Sequence, residues 1–194
     1  MYLDAGTTTG QMIDFIKEKS ATFVTNAVSH AQRLAAQGGQ AILDDDREED
    51  FEEILKVIKD RYDSIINGLE LTISLDDEFK TIQENFSKKI GRDYAASRGE
   101  YLNGIIMAAY LGYEFIDAAE VIFFDEEGEF DAEKTNEVLS ERLAHTERAV
   151  IPGFYGSNPD GTIHTFSRGG SDITGSIVAR AVHADMYENW TDVS

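Results

Sequence analysis

Apolar residues at Phe51, Ile54, Leu55, Ile58, Tyr62, Ile65 and Ile66 recur every three or four positions, the spacing of a single stripe on a helix. The acidic run DDDREED at 44–50 precedes that stripe and favours the positive end of the helix dipole. It lacks the glycine and the spaced ligands of a calcium loop. A second stripe, Phe79, Ile82, Phe86 and Ile90, predicts another amphipathic helix, closed by Gly91. RDYAASRGEYLNGIIMAAYLGY, 92–113, predicts a more buried helix ending near Gly112. Nearer the start, MYLDA reads as a strand end and GTTTG as a loop with a threonine-rich cap before QMIDFIKEK. Residues 20–37 continue as a helical stretch closed by Gly38 and Gly39.

Beyond Tyr113 the pattern changes. FIDAAEVIFFD, 115–125, predicts one or two strands, DEEGEF a turn, and DAEKTNEVLSERLAHT a surface helix with Asp131 as its cap. RAVIPGFYG, 148–156, predicts a strand, and Asn158-Pro159-Asp160-Gly161 spells a turn. TIHTF then runs into a glycine turn, SDITGSIVARAVHAD predicts a helix, and MYENWTDV predicts a closing strand. Strands alternating with helices predict an α/β chain with a largely parallel, covered sheet. No internal repeat or low-complexity linker interrupts it. The expectation is one domain over 1–194, with a helical segment of about 20–90 inserted between sheet elements.

Composition adds one extreme. Seventeen Lys and Arg stand against 37 Asp and Glu, a formal net charge of −20. Such a surface repels phosphate backbones and anionic lipids, which argues against nucleic-acid and membrane partners. Any anion site must therefore build a local positive field against a negative background. Salt adaptation is one reason for the acidity; an ordinary soluble acidic surface is the plainer one. No apolar run reaches the ~18–20 residues needed to cross a bilayer. The N-terminus lacks the basic start and apolar stretch of a signal peptide. With no cysteine there are no disulfides or thiolate metal sites, which fits a cytoplasmic location. In that setting the triplet NWT at 189–191 is an accidental glycosylation signal.

The chemistry concentrates in IHTFSRGGSDITG, 163–175. Gly169 and Gly170 let backbone approach a bulky anion with no Cβ in the way. Ser171 and Asp172 open a helix whose N-terminus favours negative charge. Arg168 adds a planar fork suited to a carboxylate. On these residues alone the turn is either an anion site or a tight turn with a Ser/Asp cap. The four histidines, His30, His145, His164 and His183, are scattered and read as structural or surface residues.

The flanking sequence carries a resemblance. VIPGFYGSNPDGTIHTFSRGGSDITGSIVARAVHADMYENWTDVS resembles the end of the catalytic core of aspartate kinases, with their G-F-x-G-S strand exit, T-x-x-R-G-G-S-D turn and later W-T-D-V strand. SRGEYLNGIIMAAYL resembles that family's S-x-G-E helix start, and DAGTTTGQMIDFI is less specifically similar to its S-A-x-G-x-T-[TN] segment. The resemblance runs from about residue 4 to the end. It implies an amino-acid kinase-like fold, a three-layer αβα sandwich with a mostly parallel sheet. It implies ATP-dependent phosphorylation of the β-carboxylate of L-aspartate, the first step toward lysine, threonine and methionine, with ATP and Mg²⁺ as cofactors.

Residue by residue, the resemblance implies that Arg168 clamps the α-carboxylate of aspartate with Ser171 nearby, and that Glu100 meets its ammonium. Phe154 lines the pocket, and Thr9 touches substrate, with Thr25 as its rival. Gly153, Gly169 and Gly170 bring backbone to the phosphates. Asp172 organises the phosphoryl-transfer centre, and Thr191 and Asp192 begin the nucleotide pocket. The family's first-strand signature, K-x-G-G-[ST]-S, has no counterpart in these 194 residues. The chain therefore reads as an interior piece of a catalytic domain, expected to be inactive in isolation. A non-catalytic module derived from that domain and a kinase for another small carboxylate remain alternatives, and the sequence leaves a homo-oligomer open.

Overall fold

The computed structural model describes residues 46–166 and 169–189. The strand end, threonine loop and helices expected before residue 38 lie outside the described residues. So do Thr9, Thr25, Arg168, Thr191 and Asp192. Contacts divide the chain into two compact units, Met1–Gly68 and Leu69–Ser194.

In the first unit, helix α1 (Asp46–Gly68) follows the predicted stripe, with Leu55, Tyr62 and Ile66 as its buried positions. Lys59 and Asp63, one turn apart, pair at 2.8 Å on its side.

The second unit opens with α2 (Asp76–Ser87), which buries Phe79 and Ile82. It ends before Ile90, which is exposed. The Lys88 N–H bonds Glu84 O, the Lys89 N–H bonds Phe86 O, and Lys89 itself turns left-handed at φ 56°. Gly91, expected as the stop of α2, instead starts α3 (Arg92–Leu111) at φ 127°. Helix α3 stops where the sequence places its end, at a left-handed Gly112.

Two short strands then pair in parallel. Strand β1 (Glu114–Phe115) lies beside β2 (Ala149–Val150), with Glu114 opposite Ala149 and Phe115 opposite Val150. Parallel partners need a crossover, and two helices supply it. The first, α4 (Ala118–Val121), puts a helical turn inside 115–125, where one or two strands were expected. The Asp117 carboxylate accepts the Ala119 N–H at 3.0 Å, and that cap with two alanines behind it starts a helical turn. Extended backbone returns afterwards, as a parallel bridge of Phe123 to Ser157. The second crossover helix, α5 (Ala132–Leu143), is capped by Asp131 as predicted, its carboxylate accepting the Lys134 N–H at 3.0 Å. Arg142 in its last turn pairs with Glu114 of β1.

The expected strand 148–156 is broken. Pro152 has no N–H to give a ladder, and Phe154 adopts φ 65°. Pairing resumes in β3 (Tyr155–Ser157), antiparallel to β4 (Ile163–Thr165) around the predicted 158–161 turn, so the described strands pair both ways. The last helix, α6 (Gly170–Ala181), is shorter than predicted, and residues 186–189, expected as strand, are irregular. Ile116, Ala118, Val121, Ile122, Leu139, Tyr155 and Ala181 form the core that α4, α5 and α6 share with β3.

Gly156 of β3 crosses that core so closely that a Cβ would strike the Ile122 carbonyl oxygen and come within 2.8 Å of its Cγ2. Gly156→Ala is expected to lower stability by about 2–3 kcal/mol, the range for overpacking a filled interior. Urea denaturation checks it, and an unshifted midpoint would show that the strand has room to move.

Candidate functional site

The break after β2 builds the site. Phe154 sits in left-handed backbone, a conformation costing a non-glycine residue on the order of 1–3 kcal/mol, and it is held there from both sides. Its N–H donates to the Thr174 hydroxyl at 3.0 Å, and its carbonyl accepts the Phe166 N–H at 2.9 Å. Thr174 is buried on α6, and its hydroxyl donates in turn to Gly170 O at 2.9 Å. The turn after β2 and the first turn of α6 are thereby tied through one side chain.

Two glycines let these turns interlock. A Cβ on Gly170 would lie 2.5 Å from Phe154 Cβ, and one on Gly153 would lie 3.0 Å from both Cα and Oγ of Ser171. Gly169 does a different job. It faces open space and turns the chain into the helix at φ 61°.

Helix α6 makes its first backbone bond from Ile173 N–H to Gly169 O, at 3.0 Å. The N–H groups of Gly170, Ser171 and Asp172 therefore precede any intrahelical acceptor. No side chain caps this end, so the alternative of a Ser/Asp-capped turn does not hold. Ser171 and Asp172 lie inside the first turn and are exposed. Among the described residues the Ser171 hydroxyl has no partner. One oxygen of Asp172, Oδ1, accepts the Asn189 side-chain amide at 3.0 Å, and the other has no partner among the described residues. The chain after α6 returns along the helix, with Tyr187 packed where Gly175 leaves room.

Of the predicted site residues, the structure brings together Gly153, Phe154, Gly169, Gly170, Ser171 and Asp172. Glu100 lies on α3, with no hydrogen bond or ion pair from its side chain among the described residues. Although the residue is exposed, protein surrounding its carboxyl group pushes the pKa above the usual carboxylate value. Its helix is anchored by Arg98, whose guanidinium lies 4.5 Å from the ring centres of both Tyr94 and Tyr101 and 5.6 Å from that of Tyr155. Tyr155 is fully buried and donates to Asp117 at 2.7 Å. Burial above all, then the Asp117 carboxylate, raises its phenol far above the normal range.

A separate cleft of about 370 Å³ lies between α5 and α6, lined by residues including Asn136, Asp172, Ser176 and Arg180. It reaches Asp172 but none of the glycines. Sequence reasoning does not single out Thr174 or Asn189. A threonine inside a helix and an asparagine beyond one carry no local signal that they serve residues elsewhere.

A model of the amino acid kinase family matches residues 21–194. The chain belongs to the amino acid kinase family. Its curated relatives include Aspartokinase 3 of Bacillus subtilis strain 168, 36% identical over 156 residues, which are 73% of this chain and 34% of that protein. Lysine-sensitive aspartokinase 3 of Escherichia coli K12 is 46% identical over 44 residues, 23% of this chain and 10% of that one. Among solved structures, the aspartate kinase of Clostridium acetobutylicum superposes with a TM-score of 0.70 at 52% identity, covering 74% of this chain and 33% of that chain. E. coli aspartokinase III in complex with aspartate and ADP superposes with a TM-score of 0.58 at 22% identity, covering 73% and 36%, and shows the shared fold alone. The amino acid kinase α/β fold expected from the sequence thus stands. This family member spans about a third of the length of the first relatives it matches.

The two adjacent glycines make separable predictions. Gly169→Ala meets no atom but must hold left-handed backbone, costing about 1 kcal/mol. Gly170→Ala must push the Phe154 turn away from α6, costing about 2–3 kcal/mol. Thermal and urea unfolding should rank them in that order; the reverse order would mean that the two turns do not interlock.

Proposed function

We propose that this chain carries the aspartate-binding, phosphate-facing part of an aspartate kinase, which transfers the γ-phosphoryl group of ATP to the β-carboxylate of L-aspartate. The observation that supports this most is the interlocked turn of Gly153, Phe154, Gly170 and Ser171. It holds three N–H groups at the start of α6, directly after the S-R-G-G-S-D sequence begins. The aspartokinase relatives point to the same chemistry. The proposed reaction stands at the entry to lysine, threonine and methionine synthesis.

A β-carboxylate ordinarily titrates at a pKa of about 3.9, so it is already an anionic nucleophile at neutral pH and no general base is required. The site must align it and neutralise phosphate charge. In this reading the first-turn N–H groups of α6 face phosphate oxygens, and the Ser171 hydroxyl meets substrate. Arg168 holds the α-carboxylate in two-point fashion, the Phe154 ring walls the pocket, and Glu100 receives the substrate ammonium. Thr9 contacts substrate, and Thr191 and Asp192 belong to the nucleotide side. Mg²⁺ keeps much of its coordination for phosphates and water and needs only one or two carboxylates. The open oxygen of Asp172 fits that need, and the ion would supply neutralisation of phosphate charge.

Calorimetric titration with L-aspartate tests the reading. Arg168→Lys keeps the charge but loses the planar fork, so aspartate affinity should fall at least tenfold with the fold intact. Unchanged affinity would remove the clamp.

Glu100→Gln should weaken aspartate more than succinate, which lacks the ammonium. A charge-assisted contact is worth about 1.5–3 kcal/mol, so the aspartate loss should be tenfold or more. Because burial raises the Glu100 pKa, aspartate affinity should drop as pH falls through a value above 4.5, and the glutamine variant should flatten that step. The free protein shows the opposite sign. The stability linked to Glu100 is full below its unfolded pKa and is lost as pH rises through the folded one. Equal losses for aspartate and succinate would reduce Glu100 to a surface residue of the helix.

A further inference from the structure

Thr174 is one of the few buried polar residues in the described structure, at 4% exposure, and no part of the proposed reaction uses it. A threonine hydroxyl inside a helix can satisfy itself locally on the carbonyl four residues back, and Thr174 does so on Gly170 O at 2.9 Å. What local structure does not require is its second bond, the acceptance of the Phe154 N–H at 3.0 Å from twenty positions away. That N–H belongs to the left-handed residue at the front of the site. Phe154 lies between β2 and β3 at φ 65°, outside both ladders, so without the hydroxyl its part-buried amide would lose its protein acceptor. The hydroxyl donates to α6 and accepts from the turn, so both of its functions are used in one direction each. Valine has the same shape and can do neither.

We propose that Thr174 is a positioning residue for substrate binding, whose hydroxyl locks the left-handed Phe154 turn to the first turn of α6. This rests on the functional reading above, in which Phe154 walls the pocket and the first turn of α6 faces the ligand. The glycine contacts make the coupling stiff. With Gly170 seated against Phe154 and Gly153 against Ser171, the two turns have one close-packed arrangement, and the hydroxyl selects the backbone conformation that permits it. Loss of the hydroxyl frees the Phe154 amide and lets the turn leave the left-handed region. The pocket wall then moves relative to Ser171 while the helix itself, with its other backbone bonds, survives.

The test compares Thr174→Ser, Thr174→Val and Thr174→Ala in the full 194-residue chain, by calorimetric titration with L-aspartate and by hydrogen exchange at the Phe154 amide. Serine keeps the hydroxyl and should bind aspartate within about twofold of wild type, with the Phe154 amide protected. Valine keeps the volume and should lose tenfold or more in affinity, with that amide exchanging rapidly and the circular dichroism of the helices unchanged. A residue that only stabilises the fold would lower the melting temperature in valine without changing affinity below the transition. Should valine fail to fold, serine and alanine form the pair that differs by the hydroxyl alone, and alanine should show the loss. Valine binding within twofold of wild type, or alanine matching serine, overturns the positioning role and leaves the functional reading standing. Failure of the wild-type chain to bind aspartate overturns that reading, and the role of Thr174 with it.

Discussion

The hydrogen bond from the Phe154 amide to the Thr174 hydroxyl ties a strand exit to a helix start, and the arrangement of the candidate site depends on it. An unfavourable backbone conformation at Phe154 persists because neighbouring contacts over-determine it. The Phe166 amide holds its carbonyl, and Gly170 allows α6 to sit against its Cβ. On the other side Gly153 receives Ser171. Small residues here admit protein before they admit ligand. These glycines let two turns approach until Ser171 and the first N–H groups of α6 stand beside the turn after β2.

Charge constrains the site from outside. A chain with net charge −20 repels anions at long range, so any anion site on it must rely on short-range, directed donors. The first-turn N–H groups of α6 are donors of that kind and add no mobile cation. Two carboxylates among the predicted site residues are restrained. Asp172 has one oxygen engaged by Asn189, and Glu100 sits where desolvation disfavours its charge.

Local rules located most helices because each is specified by residues close in the chain. The stripe from Phe51 to Ile66, the Asp131 cap, and the Gly112 stop act over one or two turns, and the structure has them where the sequence puts them. The strands were harder. FIDAAEVIFFD alternates well enough for a strand, yet Asp117 capping at Ala119 begins a helix inside it. RAVIPGFYG is apolar enough for one strand, yet a proline and a left-handed phenylalanine divide it into two that serve different pairings. The parallel pairing of β1 with β2 is settled by a partner dozens of residues away, which no short window of sequence contains.

The sequence by itself determined the family, the helix boundaries set by caps and glycines, and the cluster of glycines and polar residues at 168–172. These are matters of residue identity and short-range spacing. Only the tertiary structure decided why those glycines are needed, since Gly153 and Gly170 answer to Ser171 and Phe154 across a gap in the chain. It likewise decided that Thr174 serves Phe154 and that Asn189 holds Asp172. Hydrogen bonds and close contacts between distant segments depend on how strands and helices stack, and stacking is a property of the folded chain rather than of any stretch within it.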